Sequence, residues 1–244
     1  MNIFRRTRAR QALILLFSIA VLIFSCSTVK EKDLQQASAR YQLGVSYLND
    51  NNIQPAFVEF QKALELNPLD KDTHNAIGVI YLVKLEDYPK AIQHFREAIR
   101  IDKTFSEAAN NLGNAYANIG RYDEAVTHFK AALSNPQYKN AAMAFNNIGM
   151  SYYRLGRFDE AIDAFKDALK RFSDFHIPYY GLALSLNAKG RYGEAANALS
   201  RAIQLDPLYN GDRGKAIEDF RNRKLRAKGD NEKDISDYIE IMNY

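Results

Sequence analysis

Cysteine and histidine are scarce in this chain while acids are plentiful, and the spacing of these residues fits no common catalytic arrangement. Cys26 is the single cysteine and closes an N-terminal apolar run. The four histidines, His74, His94, His128 and His176, form no short metal-ligand pair. His94 and His128 each precede a phenylalanine at the same place in a recurring pattern, which accounts for their recurrence without chemistry. Gly211-Asp212-Arg213-Gly214-Lys215 has some of the residues of a phosphate loop, but neither the spacing nor the Ser/Thr after Lys. No Gly-x-Ser-x-Gly elbow occurs. The acids gather in stretches such as Tyr122-Asp123-Glu124 and Phe158-Asp159-Glu160, where they read as solvated or helix-starting residues. The expectation is a protein that is no enzyme, with no metal, no cofactor and no small-molecule substrate.

The elements that would carry any remaining function repeat. Gly44-x-x-Tyr47…Ala56-x-x-x-Phe60-x-x-Ala63 returns as Gly78, Tyr81, Ala91, Phe95, Ala98, and as Gly113, Tyr116, Ala125, Phe129, Ala132. It returns again as Gly149, Tyr152, Ala161, Phe165, Ala168, and more weakly as Ala183, Leu186, Ala195, Leu199, Ala202. The anchors are 34, 35, 36 and 34 residues apart. Such a period decides the architecture before any local reading does. Each repeat holds two stretches with apolar residues at helical spacing, split by a polar turn such as Asn118-Ile119-Gly120-Arg121. Gly and Ala let the paired helices approach. Tyr and Phe fill the space between, each contributing about 1.5–3 kcal/mol on burial. Pro68 and Pro207 follow second helices and stop them.

This pattern resembles the tetratricopeptide repeat (TPR), a helix-turn-helix unit of 34 residues. The implied fold is all-α: a solenoid of five repeats at about 37–70, 71–105, 106–141, 142–175 and 176–209. A capping helix and C-terminal tail follow over 210–244, with room for a degenerate sixth repeat. The site where the family pattern has tryptophan holds Arg40, His74, Ala109, Phe145 and Tyr179. One extra residue falls near Leu85-Glu86-Asp87, and two fall in the connection Ser134–Asn140.

In this family the first helix of each repeat lines a concave groove. The resemblance places Tyr41, Asn75, Leu82, Asn110, Asn114, Asn146, Met150, Tyr153 and Tyr180 on that groove. Asn75, Asn110 and Asn146 form a row through its middle. An amide both donates and accepts, so such a row can pair with a peptide backbone of any sequence, while Leu, Met and Tyr supply adaptable apolar area. The implied ligand is an extended or helical protein segment. The family's chaperone-tail clamp is excluded by charge: Asp72, Glu107 and Met143 stand where that clamp has cations or their equivalents.

The N-terminus carries Arg5, Arg6, Arg8 and Arg10 with no acid, then an apolar run from Ala12 to Phe24. The run is shorter than the ~20 residues that span a bilayer, and its flanks fit a secretory leader over residues 1–25. Ile23-Phe24-Ser25-Cys26 resembles the bacterial lipoprotein box, which implies that Cys26 receives a diacylglycerol-type anchor with fatty acyl chains such as palmitate. A signal anchor or ordinary signal cleavage also fits the run. Ser27 resembles an outer-membrane address, on the periplasmic side. Residues 26–36 would then be the lipidated cysteine and a polar tether, reaching at most ~35 Å over ten residues.

The whole chain carries a net charge of +4, but beyond residue 25 it has 29 basic and 29 acidic residues. A nucleic-acid partner is therefore not expected. The remaining basic cluster, Arg221 to Lys228, reads as a solvated helix end or as a contact for lipid head groups or an acidic partner.

Leader, tether and repeats together resemble the type IV pilus biogenesis and stability lipoproteins, the pilotins. Asn135-Pro136-Gln137-Tyr138 before a helix with Asn146-Asn147-Ile148-Gly149 carries the resemblance furthest. It implies an outer-membrane scaffold that binds a segment of the pilus secretin. The alternative is a general envelope adaptor serving outer-membrane protein or cell-wall complexes, since repeat likeness alone does not set a role.

Overall fold

The structure, a computed structural model, describes residues 30–244; the leader and Cys26 lie outside the described residues. Twelve helices and no strand occur among the described residues. None of these helices is long and apolar enough to cross a membrane. The chain divides into two units, one ending at Leu85 and one running from Glu86 to Tyr244.

The first unit holds α1 (30–49), α2 (Ile53–Leu66) and α3 (Lys71–Val83). The tether expected over 26–36 is corrected here, because the chain is already helical from residue 30. The run from Lys30 to Gln36 has mainly straight-chain residues and no Gly or Pro. It therefore extends the helix whose first buried contact is Ala37. Phe60 is fully buried, and a Cβ on Gly44 would lie 2.6 Å from its ring. Arg40, at the tryptophan-type site, pairs with the buried Glu59 at 2.8 Å. Asp70 caps α3, accepting from the backbone N–H of Asp72 and Thr73.

The second unit holds α4 (Tyr88–Ile101), α5 (Ser106–Asn118), α6 (Tyr122–Leu133), α7 (Ala141–Arg154), α8 (Phe158–Arg171), α9 (His176–Ala188), α10 (Tyr192–Leu205), α11 (Arg213–Lys224) and α12 (Asp230–Ile241). Consecutive helices pack as hairpins, α5 with α6, α7 with α8 and α9 with α10. Each second helix also meets the first helix of the next hairpin. First helices touch one another, α5 with α7 and α7 with α9, and so form the inner row of this unit.

The anchors make this packing. Phe129 and Phe165 are buried beneath glycines, and a Cβ on Gly113 or Gly149 would lie 2.5 or 2.7 Å from those rings. The alanine anchors Ala125, Ala132, Ala161, Ala168, Ala195 and Ala202 are all wholly buried.

The irregular steps are absorbed locally. The hairpin turns place Gly120, Gly156 and Gly190 at φ +76, +72 and +73°, seven residues after each anchor. One residue later than that register, Glu86 takes φ +52°, which is where the extra residue went. The lengthened connection before α7 folds inward. Tyr138 joins a buried cluster with Ala109, Ala132, Ala141 and Ala144. Ala109 stands at a tryptophan-type site, so an inserted ring fills volume that the repeat's own side chain leaves empty. Burial and the Glu107 charge push the Tyr138 phenol up to about 12.

Two glycine substitutions separate space from backbone. Gly113→Ala drives a methyl into Phe129 and is expected to lower stability by about 1–3 kcal/mol. Gly156→Ala meets no atom within 4 Å, so it carries only the left-handed backbone penalty of about 1–2 kcal/mol. Urea unfolding should show both losses, and repacking around residue 129 in the first variant alone.

Candidate protein-binding face

The inner row of the second unit presents two stretches of different character. On α5 and α7 it is a set of amides. Asn110 and Asn146 are each 7% exposed, and their Oδ1 atoms have no hydrogen-bond partner among the described residues. Asn147 Nδ2 donates to Asn114 Oδ1 at 3.0 Å, tying neighbouring repeats together. Met150 and Asn114 are half-buried, while Glu107 and Met143 are exposed at the rim. A buried amide oxygen without a donor costs about 1–3 kcal/mol. Both oxygens are themselves covered, so a ligand's N–H groups reach them only where the side chains turn outward.

At α7 and α9 the same row is covered. Helix α12 packs against α9, α10 and α11, and its Asp234 reaches the end of α7. Arg154 donates from both terminal nitrogens to Asp234, at 2.9 and 2.5 Å, and Tyr153 Oη donates to the same carboxylate at 3.3 Å. The Arg154 and Asp234 side chains are only 15% and 11% exposed. That hydrogen bonding holds the Arg154 guanidinium more firmly protonated than usual, against the effect of burial. Burial first, then the Asp234 charge, raises the Tyr153 phenol. Tyr180 donates to Asp206 at 2.9 Å, and its ring lies 5.5 Å from that of Tyr238. Tyr238 also stacks on Phe220 of α11 at 5.4 Å. Burial raises the phenols of Tyr180 and Tyr238 as well.

These contacts sort the residues expected on the groove. Asn110, Asn114, Asn146 and Met150 lie together on α5 and α7. Tyr153 and Tyr180 are corrected from open groove residues to residues facing the chain's own C-terminal helix. Tyr41, Asn75 and Leu82 belong to the first unit. There Tyr41 packs on Phe60 with ring centres 5.7 Å apart and serves the core as much as the surface. Burial, then Asp72 and Asp70, raise its phenol. The functional partners that sequence reasoning missed are Arg154 and Asp234. The stripe Ile235, Tyr238 and Met242 was the available signal, because an apolar helix face outside the repeats needs something to cover.

No group of His, Cys, Asp and Glu able to hold a metal occurs among the described residues. Tetratricopeptide-repeat models match residues 37–68, 82–120, 105–174 and 146–210. The chain belongs to the tetratricopeptide-repeat family. It is similar to the type IV pilus assembly protein PilF of Pseudomonas aeruginosa, 31% identical over 140 residues that cover 54% of this chain and 55% of PilF. The match thus spans about half of that relative's length. In structure it resembles PilF (TM-score 0.65, 23% identity, 87% of this chain and 99% of that one). It also resembles PilW, described as a widely conserved type IV pilus biogenesis factor (0.68, 22%, 83% and 90%). A third likeness is to YrrB, described as a TPR protein with an unusual peptide-binding site (0.61, 21%, 80% and 97%). At these identities the structural likenesses carry the fold.

The amide set should behave as one connected unit. In a double-mutant cycle, Asn114→Ala and Asn147→Ala are expected to couple by about 0.5–1.5 kcal/mol in the unfolding free energy. Strict additivity would show that the inter-repeat hydrogen bond is absent in solution.

Proposed function

We propose that this protein is a membrane-anchored, periplasm-facing scaffold. The inner face of α5 and α7 holds a protein segment, and through it the protein assists type IV pilus secretin assembly or localisation. The observation that carries the binding role is the pair of buried, unpartnered amide oxygens at Asn110 and Asn146 beside Asn114 and Met150. An extended strand offers backbone N–H groups along its length, whatever its sequence, and these are the donors that the two oxygens lack. Similarity to PilF favours the pilus role. The leader and Cys26 favour a lipid anchor at the outer membrane. The protein acts by binding, with no catalytic step of its own. Repeats of this kind set no role by themselves, which leaves the alternative of a general envelope adaptor for outer-membrane protein or cell-wall complexes.

Capture of the full-length protein from cross-linked, detergent-solubilised envelopes distinguishes the two. The scaffold reading expects the secretin among the captured proteins. Asn110→Ala with Asn146→Ala should weaken its binding about thirtyfold, at roughly 1 kcal/mol per lost hydrogen bond. The unfolding midpoint should change little, since each amide oxygen is unsatisfied in the free protein. Other envelope proteins without secretin would leave only the adaptor reading. For the anchor, Cys26→Ala should move the protein to the soluble fraction, and unchanged membrane fractionation would contradict lipidation.

A further inference from the structure

Helix α12 does not continue the array. The second helix of every preceding hairpin in this unit packs on its own first helix and on the next one. In contrast, α12 turns back over α9 and sets Asp234 against Arg154, 80 residues earlier in the chain. The reversal is made at Gly229, whose φ of +59° and ψ of −134° are a backbone state essentially confined to glycine. A Cβ there would meet nothing within 4 Å, so the requirement is purely conformational. The preceding connection is exposed, with Leu225 at 86%.

The inward side of α12 is the buried Asp234, Ile235, Ile241 and Met242 with the half-buried Tyr238, a helical stripe. This is how an amphipathic helix lies in a groove: apolar and aromatic anchors one turn apart, with one charged group fixing its register. The receiving residues are Tyr153, Arg154 and Tyr180, first-helix positions of the same inner row as the asparagines.

We propose that α12 is a ligand supplied in cis, and that the surface beneath it is a second docking site. In exchange for α12, that site takes an amphipathic partner helix presenting a carboxylate one turn before an aromatic ring. The occupant's chemistry is read from the one already seated: a carboxylate for the Arg154 fork and the Tyr153 hydroxyl, then an aromatic for Tyr180 and Phe220. The proposal rests on reading the inner row as a protein-binding face. It is separable, because the Asn110 and Asn146 capture measurement leaves α12 untouched.

The probe is a fluorescent synthetic peptide of residues 229–244, added to the full chain. Wild-type protein should bind it weakly because the site is filled in cis. Gly229→Ala strains the reversal without touching the site and should bind it about tenfold more tightly or better, since apparent affinity scales with the fraction of open sites. Adding Arg154→Glu to Gly229→Ala should abolish that binding, and a peptide carrying Asp234→Arg should restore it. Tryptic cleavage after Lys233, inside α12, reports whether α12 has left and unfolded.

If Gly229→Ala keeps its tail protected, Asp234→Lys is the second means of release. A tail still protected in both variants makes α12 a fixed part of the fold and overturns the proposal. So does a released tail with no gain in peptide binding. Dimers of Gly229→Ala by light scattering would mean that α12 exchanges between copies, which overturns the partner-helix reading.

Discussion

A phenyl ring between glycines sets the geometry on which the inner face depends. Phe165 lies under Gly149 of its own hairpin and against Gly181 of the next, with no room for a methyl at either place. The contact is hard-sphere packing and leaves no tolerance, since overfilling a close-packed site costs kilocalories. Because the second helix and the small residues of the first fix the spacing, the remaining faces of the first helices are released from packing duty. They can carry amides on α5 and α7 and aromatic and charged groups on α7 and α9 without disturbing the stack.

The inner row uses that freedom in two ways. Its amide stretch keeps acceptors that the chain itself does not satisfy, at a cost in folding free energy. Its C-terminal stretch is satisfied by α12, where a buried ion pair, a tyrosine hydroxyl and stacked rings meet one helix. Buried ion pairs recover little net stability over apolar packing, but they impose register, and losing one partner leaves a costly buried charge. Arg154 therefore specifies what may lie on it: a helix with a correctly placed acid.

The anchors were legible in the sequence because they obey one period, and Phe60, Phe129 and Phe165 with their alanines sit in the core as that period requires. Asn110 and Asn146 were legible by register on their helices. Other features depend on contacts that no period encodes. Asp234 looks like any of the chain's acids until the Gly229 reversal brings it to Arg154. Tyr138 reads as part of a polar insertion, yet it fills the space around Ala109. The segment from Lys30 reads as a polar tether, yet it is helical, because propagation from a docked helix outweighs polarity where no breaker intervenes.

The central claim is that a protein segment lies along α5 and α7. Site-specific photo-crosslinking in intact envelopes tests it most directly. A photoreactive residue at Met150, on the inner row, is compared with one at Lys166, exposed on α8. The scaffold account predicts a discrete adduct from Met150, mapping by mass spectrometry to a single segment of the secretin, and none from Lys166. Equal adducts from both positions, or adducts from Lys166 alone, would contradict it.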